Sequence, residues 1–393
     1  MRFSLSLSAC VLIIAAGILL IACDEQKPPY LPPTIAVTSL TVTSVDVITA
    51  SLPLVVVPSP DGKHVAGQTA EGDLCVYDGA GIKQVCGKFT QMIDYGRMRW
   101  SPDGRHIAFT EFYQYHLPIM RQLHRDPDIW VMDTESGMLT DITDDQVDEI
   151  SISTFEGQRI DVAPTWSGDS KQISFVRFTG ASSNLTGAVY SINASGGEAT
   201  RLATLNATIF SGLSLTQSQD GKQAAYYAFH PITSREGSVW LLDLGTGESK
   251  SLIGASANFL NGLEFSLDGR YIMVFDGTPI NISDWSKAGS YLVTVDSGER
   301  EEIAGDGAQC ATWAPSGSGL AYLRRDQRRS PNNAGLYLAE APDKPGKLVY
   351  EGDLYSTTYE LPLIWSTDNT ILVKDKNGNS EGSNLVRLHL GTK

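Results

Sequence analysis

Histidine is scarce in this chain, with six in 393 residues, and cysteine is scarcer, with five. No spacing among them matches a zinc site, and no metal or cofactor is expected. Charge is sparse as well: 19% of residues are ionisable Asp, Glu, Lys or Arg, against about 25% in an average soluble domain. The basic share is the thinner one, 30 residues against 45 acidic, for a formal net charge of -15. A phosphate backbone would be repelled by that average field, which argues against a general nucleic-acid binder. Apolar residues are plentiful at 42%, enough for a large core and too many for a disordered chain.

The one long apolar run lies at the start. Residues 1–22 carry a single Arg followed by an unbroken weakly polar to apolar stretch. A membrane-spanning anchor is one reading; a secretory signal fits better, given its positive start, short apolar core and small terminal residue. Leu20, Ile21, Ala22 and Cys23 resemble the bacterial lipobox, in which the signal is cut before the cysteine and lipid is attached to it. An ordinary signal followed by a chance cysteine is the alternative. Asp24 resembles the inner-membrane retention residue of enteric bacteria. The Pro-rich stretch Lys27–Pro33 then reads as a stiff tether. The expected organisation is a signal peptide at 1–22, lipidated Cys23 and tether at 23–34, and one domain at 35–393. The expected location is the bacterial cell envelope, outside the cytoplasm.

Cys75 and Cys86 lie eleven residues apart on two short strands joined by a glycine turn, which predicts a local disulfide. Cys310 is left over and reads as a small buried residue.

One phrase recurs seven times: an apolar strand, a turn of the Ser-Pro-Asp-Gly kind, and a second apolar strand. Its anchors are Asp61, Asp103, Asp169, Asp220, Asp268, Ser316 and Thr367, spaced 42 to 66 residues apart. After each comes a second hairpin, as in residues 128–143 and 238–253. Each unit therefore holds strands A to D, with Asp-Gly turns supplying positive φ and local side-chain hydrogen bonds. Four antiparallel strands per roughly fifty residues is the arithmetic of a β-propeller blade. The seventh unit ends after its C strand, and a spare alternating segment at 35–50 precedes the first A strand. Placed beside the last C strand, that segment closes an all-β, seven-bladed propeller of four-stranded antiparallel blades. Six blades would require discarding the seventh repeat. Trp100, Trp166, Trp313, Trp365 and Phe265 precede the turns in one register, and Trp130, Tyr190, Trp240 and Tyr337 share a second. Both rows read as inter-blade core.

The Trp-Ser-Pro-Asp-Gly phrase with its following strands resembles the WD40-like (PD40, TolB-type) repeat family, found in the propeller of TolB and in prolyl oligopeptidase and dipeptidyl peptidase relatives. The resemblance covers about residues 52–390 and implies the fold, not the activity. The peptidase relatives carry a Ser nucleophile in a Gly-x-Ser-x-Gly elbow. The nearest phrase here, Gly254 to Asn258, lacks the final glycine. The residues also leave no room for a hydrolase domain.

A–B and C–D turns are short, whereas B–C and D–A loops grow on the opposite rim, at 111–128, 147–164, 228–237, 276–289 and 324–335. Binding concentrates on such loops. The candidates in 111–128 are Tyr113, Tyr115, His116, Arg121, His124 and Arg125. Elsewhere they are His230, Trp285 and the basic cluster Arg324, Arg325, Arg328 and Arg329. Large side chains there suit a partner surface or packing over the ring mouth, and the arginines suit an anionic group or acidic neighbours. The function expected is non-catalytic: a scaffold binding envelope proteins. The alternative is a propeller enzyme or glycan-binding protein with a site at the mouth of the channel.

Overall fold

The computed structural model describes residues 11–15, 18–22, 36–48, 53, 56–94, 98–111, 124–125, 127–146, 149–150, 159–181, 184–205, 211–230, 236–256, 260–276, 289–303, 308, 310–317, 319–325, 334–355, 363–366, 369–375 and 384–392. Met1–Ile35 and Ala36–Lys393 are two compact units. In the first, Val11–Ala15 pairs antiparallel with Ile18–Ala22. No helix among the described residues is long and apolar enough to cross a membrane. Cys23 and the tether to residue 34 lie outside the described residues.

The second unit is a seven-bladed β-propeller. Blade 1 is built from Val57–Pro58, His64–Gln68, Leu74–Asp78 and Lys83–Gly87. Blade 2 holds Arg99–Trp100, His106–Thr110, Ile129–Asp133 and Leu139–Asp141. Blade 3 has longer strands, Arg159–Trp166, Gln172–Ala181, Asn184–Asn193 and Thr200–Thr204. Ser211–Gln217, Gln223–His230, Glu236–Asp243 and Ser249–Ser256 form blade 4. Leu260–Phe265, Tyr271–Asp276, Gly289–Thr294 and Arg300–Glu302 form blade 5. Blade 6 follows with Cys310–Trp313, Leu320–Arg325, Ala334–Ala339 and Lys347–Gly352. In each, the four strands lie in sequence order A to D.

Blade 7 takes its A, B and C strands from Ile364–Trp365, Thr370–Asp375 and Asn384–Thr392. Its fourth strand is Leu40–Ile48, which pairs antiparallel with the last C strand from Leu40↔Thr392 to Ile48↔Leu385. The ring is thus closed by the two ends of the domain. One piece was not expected: Leu354–Tyr355 also pairs with strand B of blade 7, beyond Ile364–Trp365.

Near-continuous burial along the inner strands, as in Cys310–Trp313 and Thr370–Asp375, explains the packing, because a strand buried on both faces has no solvent face to fill. The described residues form seven buried apolar clusters, one at each seam between adjacent blades. Trp100, Trp166, Phe265, Trp313 and Trp365 are buried within them. The C-strand aromatics are half-buried; those of blades 3, 4 and 6 stack on strand-B rings, as in Tyr226–Trp240 and Tyr322–Tyr337, while Trp130 meets Phe89 edge-on.

The turns show why serine starts the repeated phrase. Ser59 Oγ donates to Asp61 Oδ1 at 2.6 Å and also accepts the His64 N–H, while Asp61 Oδ1 accepts the Lys63 N–H. The same network recurs around Ser101, Ser167, Ser218 and Ser266. Gly104 supplies the positive φ (72°) in blade 2, whereas blade 3 places Ser170 there at φ 61°. Its hydroxyl accepts the Asp103 N–H of blade 2, an inter-blade bond that offsets the backbone strain.

Cys75 and Cys86 stand directly opposite each other on strands C and D of blade 1 and form the expected disulfide. Cys310 is buried in the seam between blades 6 and 7.

The blade seam as candidate functional site

Several expected loops are shorter than the sequence suggested, because hairpin strands keep pairing as far as their backbones allow. Residues 159–164 belong to strand A of blade 3 rather than to a loop. Arg324 and Arg325 are strand residues, paired with Gly335 and Ala334, and the Arg324 guanidinium lies 5.8 Å from the Tyr337 ring centre. His230 ends strand B of blade 4, opposite Glu236. Arg328, Arg329, Trp285, Tyr113, Tyr115, His116 and Arg121 lie outside the described residues.

Blade 2 carries a pairing beyond its four strands. His124–Arg125, from its B–C connection, pairs antiparallel with Glu149–Ile150 from its D–A connection. The two connections therefore share an added two-stranded sheet. Below that pair, a group of buried polar side chains occupies the seam between blades 2 and 3, none singled out by the sequence reading.

Glu111 follows strand B, Asp128 precedes strand C and Asp141 ends strand D of blade 2, while Asp161 and Arg177 face each other on strands A and B of blade 3. Arg177 Nε and Nη2 donate to the two Asp161 oxygens at 2.7 and 2.5 Å. This is the bidentate geometry that best offsets the burial of both ions. Burial pushes the Asp161 carboxyl up, and the Arg177 hydrogen bonds and charge pull it back. Glu111 accepts the Asp128 N–H at 3.0 Å and the Trp130 indole N–H at 2.7 Å. Thr143 Oγ1 donates to Asp128 Oδ1 at 2.9 Å and accepts the Ile129 N–H at 2.8 Å. Asp161 N–H donates to Pro127 O, joining the two blades.

Burial, followed by the charge of Asp141, pushes the Asp128 carboxyl up to about 8. Burial also raises Asp141 to about 7. A cavity of about 310 Å³ adjoins the group, lined by Thr143, Asp144, Arg159, Arg177 and Glu198 among others. The chemistry available is proton uptake and release in a dry, charge-crowded seam; the polar atoms are already committed to backbone and neighbouring side chains.

A β-bulge sets this geometry. The register of strand A of blade 3 shifts between Val162 and Thr165, with Ala163 at φ 57°. Bulges of this kind re-aim side chains beside them.

No family model matches the chain, and no curated protein matches its sequence. Among solved structures it is similar to a TolB-like protein of Agrobacterium tumefaciens, at 15% identity and a TM-score of 0.42, over 76% of this chain and 91% of that one. It is also similar to an oligogalacturonate lyase of Vibrio parahaemolyticus, at 12% identity and a TM-score of 0.49, over 88% and 85% of the two chains.

Two other places gather ionisable side chains. On the short-turn rim, a cavity of about 910 Å³ between blades 3 and 4 is lined by Asp169, Gln172, Gln217, Asp220, Lys222 and Asp243. The Ser167 hydroxyl and the Lys171 N–H hold Asp169 below the usual carboxylate range, and Asp243 is held low by the Thr246 N–H and hydroxyl. These carboxylates are turn braces. In the innermost strands, Glu264 of blade 5 feels the charge of Arg99 of blade 2, and burial lifts its carboxyl to about 7. Its side chain is half-exposed although it lies deep in the ring, as expected of a residue lining a channel. Among the described residues no group of three His, Cys, Asp or Glu side chains could hold a metal ion.

The seam residues had one legible signal. Asp161 and Arg177 are ionic residues on the two strands of one hairpin, although a plain ladder count from the turn sets Asp161 opposite Phe178 and only the bulge brings it to Arg177.

Proposed function

We propose that the chain is a non-catalytic propeller of the bacterial cell envelope, lipid-anchored through Cys23, that binds proteins on the rim carrying the B–C and D–A connections. The added sheet of blade 2 supports this reading. A repeat needs no such sheet for closure or for its core, and it gives one sector of the rim a backbone scaffold of its own. A rigid ring beneath it lowers the ordering cost of association. Tyr113, Tyr115, His116, Arg121, His124 and Arg125 are the side chains assigned to this surface, with His230, Trp285, Arg324, Arg325, Arg328 and Arg329 on neighbouring blades. Asp24 favours retention at the inner membrane.

The enzyme reading draws on Asp128, since a carboxyl lifted to about 8 is protonated at neutral pH and could act as a general acid. Its bonds to Thr143 and Glu111 tie it to the blade, which favours a structural duty.

The test is crosslinking from intact membranes with the full chain and with residues 112–126 replaced by a Gly/Ser linker, so that Glu111 and Asp128 are kept. A partner captured by the first and lost by the second is the expected result. Equal capture by both, or none by either, overturns the binding surface. Cys23→Ser should abolish lipid labelling and release the protein from membranes; persistent labelling sinks the anchor.

A further inference from the structure

We propose that the seam between blades 2 and 3 is a proton-responsive joint, whose carboxylate charge sets how firmly the added sheet of blade 2 is held. The regulatory consequence, tuning of partner binding on that rim, rests on the binding role proposed above.

The geometry begins with Asp128, which is faced from every side by groups that titrate or carry charge. Glu111 approaches from the end of strand B, Asp141 and Thr143 from strand D and the residues after it, and Asp161 and Arg177 from blade 3. Asp144 acts on Asp141, Arg159 acts on Asp161, and Asp145 takes the Arg159 Nε bond at 3.0 Å. Six carboxylates thus meet two guanidiniums. Both guanidiniums are committed, Arg177 to Asp161 and Arg159 to Asp145. Among the described residues Asp128 and Asp141 form no ion pair, and protonation neutralises each of them where it is buried. Their raised values, about 8 and about 7, agree with that.

The same residues are the roots of the added sheet. His124–Arg125 lies three residues before Asp128, and Glu149–Ile150 lies four residues after Asp145. The bonds that fix those roots are Ile129 N–H to Thr143 Oγ1, Ile142 N–H to Ile129 O, and Asp161 N–H to Pro127 O. When the proton leaves Asp128, a negative charge arises among Glu111, Asp141 and Asp161 with water largely excluded. Repulsion then acts across these three bonds. The 310 Å³ cavity beside Arg159 and Arg177 gives the seam room to relax. Acidic to neutral conditions hold the roots; alkaline conditions loosen them.

The measurement is hydrogen exchange on the full chain at pH 6 to 9, corrected for intrinsic rates. The amides of Ile129, Ile142 and Asp161 are compared with those of Val295 and Ala314, which are hydrogen-bonded in blades 5 and 6. Protection at the three seam amides should fall about tenfold more than at the controls, with a midpoint between 7 and 8, since one pKa unit corresponds to a factor of about ten. Asp128→Asn, which keeps an oxygen for Thr143 and cannot ionise, should remove that fall. Asp141→Asn should reduce it and serves if the first variant folds poorly. Infrared difference spectra should show carboxylic-acid C=O intensity lost between pH 6 and 9 in the parent, with the component of highest midpoint missing in Asp128→Asn and the contributions of Asp141 and Glu264 retained. Seam amides that track the controls at every pH overturn the joint, as does an Asp128→Asn chain that keeps the pH-dependent fall. Crosslinking at pH 6 and 9 separates the two claims. Capture that weakens at pH 9 supports tuning, and equal capture refutes it. No capture at either pH overturns the binding role, while the exchange result alone decides the joint.

Discussion

The seam between blades 6 and 7 and the seam between blades 2 and 3 join sheets of the same design by different means. The first buries seventeen apolar side chains in one cluster, drawn from both blades and from Val37 and Leu40 at the start of the domain, with the buried Asp375 at its edge beside Tyr350 and Gly352 of blade 6. The second has a cluster of eight and adds Asp128, Asp161, Arg177 and Glu111, all buried. Apolar burial is non-directional and insensitive to pH, so the first seam tolerates any arrangement that fills its volume. Buried ions are directional and need their partners in place. The repeat therefore specifies that a seam forms, and leaves open what chemistry fills it. A seam far from closure is where polar chemistry can be accommodated without opening the ring.

Four experiments break or sharpen this contrast, the largest effect first. Deleting residues 24–50 removes the fourth strand of blade 7 and should cost several kcal/mol through lost core and an exposed edge. The melting temperature should drop by more than about 10 °C, or the single transition should be lost, whereas deleting 24–35 should change little. An unchanged melt in the longer deletion would show that Leu40–Ile48 is dispensable.

Asp161→Ala strands the buried Arg177 guanidinium and should cost about 3–5 kcal/mol. Asp46→Ala, at the exposed Asp46–His389 pair between strands C and D of blade 7 (2.7 Å), should cost no more than about 1 kcal/mol. Chemical denaturation of the two variants measures the difference, and equal costs would remove the distinction between a buried pair in the polar seam and an exposed pair at the ring closure.

The third experiment is a pH profile of stability. Folded Asp128 and Asp141 sit at about 8 and about 7, against an ordinary value of 3.8. Between these limits the folded chain binds more protons than the unfolded chain, so this contribution to stability is full below about pH 4. It falls as pH rises, by about 1.4 kcal/mol per unit for each group at most. Asp128→Asn should flatten the slope between pH 5 and 8, while Ile371→Ala in blade 7 lowers the whole curve without changing its shape. A parent profile whose slope Asp128→Asn leaves intact would place the titration elsewhere.

The smallest effect concerns the tryptophans. Trp100 Nε1 donates to Val57 O at 2.9 Å and Trp166 Nε1 to Arg99 O at 3.0 Å, each reaching the preceding blade. Trp313 and Trp365 occupy the same register, and their buried indole nitrogens make no hydrogen bond. Trp100→Phe should cost about 0.5–1.5 kcal/mol more than Trp313→Phe. Equal losses in paired thermal melts would mean the indole bonds contribute nothing beyond packing.

Seven turn phrases, the disulfide and the closing strand were legible because each is local or periodic. Ser-x-Asp-Gly can be read in four residues, and Cys75 and Cys86 share a hairpin. The spare segment at 35–50 could be placed by elimination once the seventh blade lacked a strand. Loop limits were read too generously, since nothing in residues 324–325 or 159–164 says that pairing continues through them. The polar seam was hidden for a different reason. Its members come from five short segments between residues 111 and 177, and their neighbourhood depends on a bulge at Ala163 that periodicity cannot reveal. Even Asp161 and Arg177 meet only because that bulge shifts their register by one residue.

The closing strand has a consequence for the time course of folding. Asp46 meets His389, 343 positions along the chain, so the first strand of the domain to be synthesised finds its place only after the last is complete. Until then six blades can stack while the seventh presents an open ladder, and Leu40–Ile48 waits with Val45 and Val47, which stay exposed even in the finished ring. Contacts of such separation make the final step slow and leave it open to pairing with another copy. A circular permutant joining residue 392 to residue 40 by a short turn would convert that last encounter into a hairpin. It should reach the native state faster and aggregate less on refolding, with its blades unchanged.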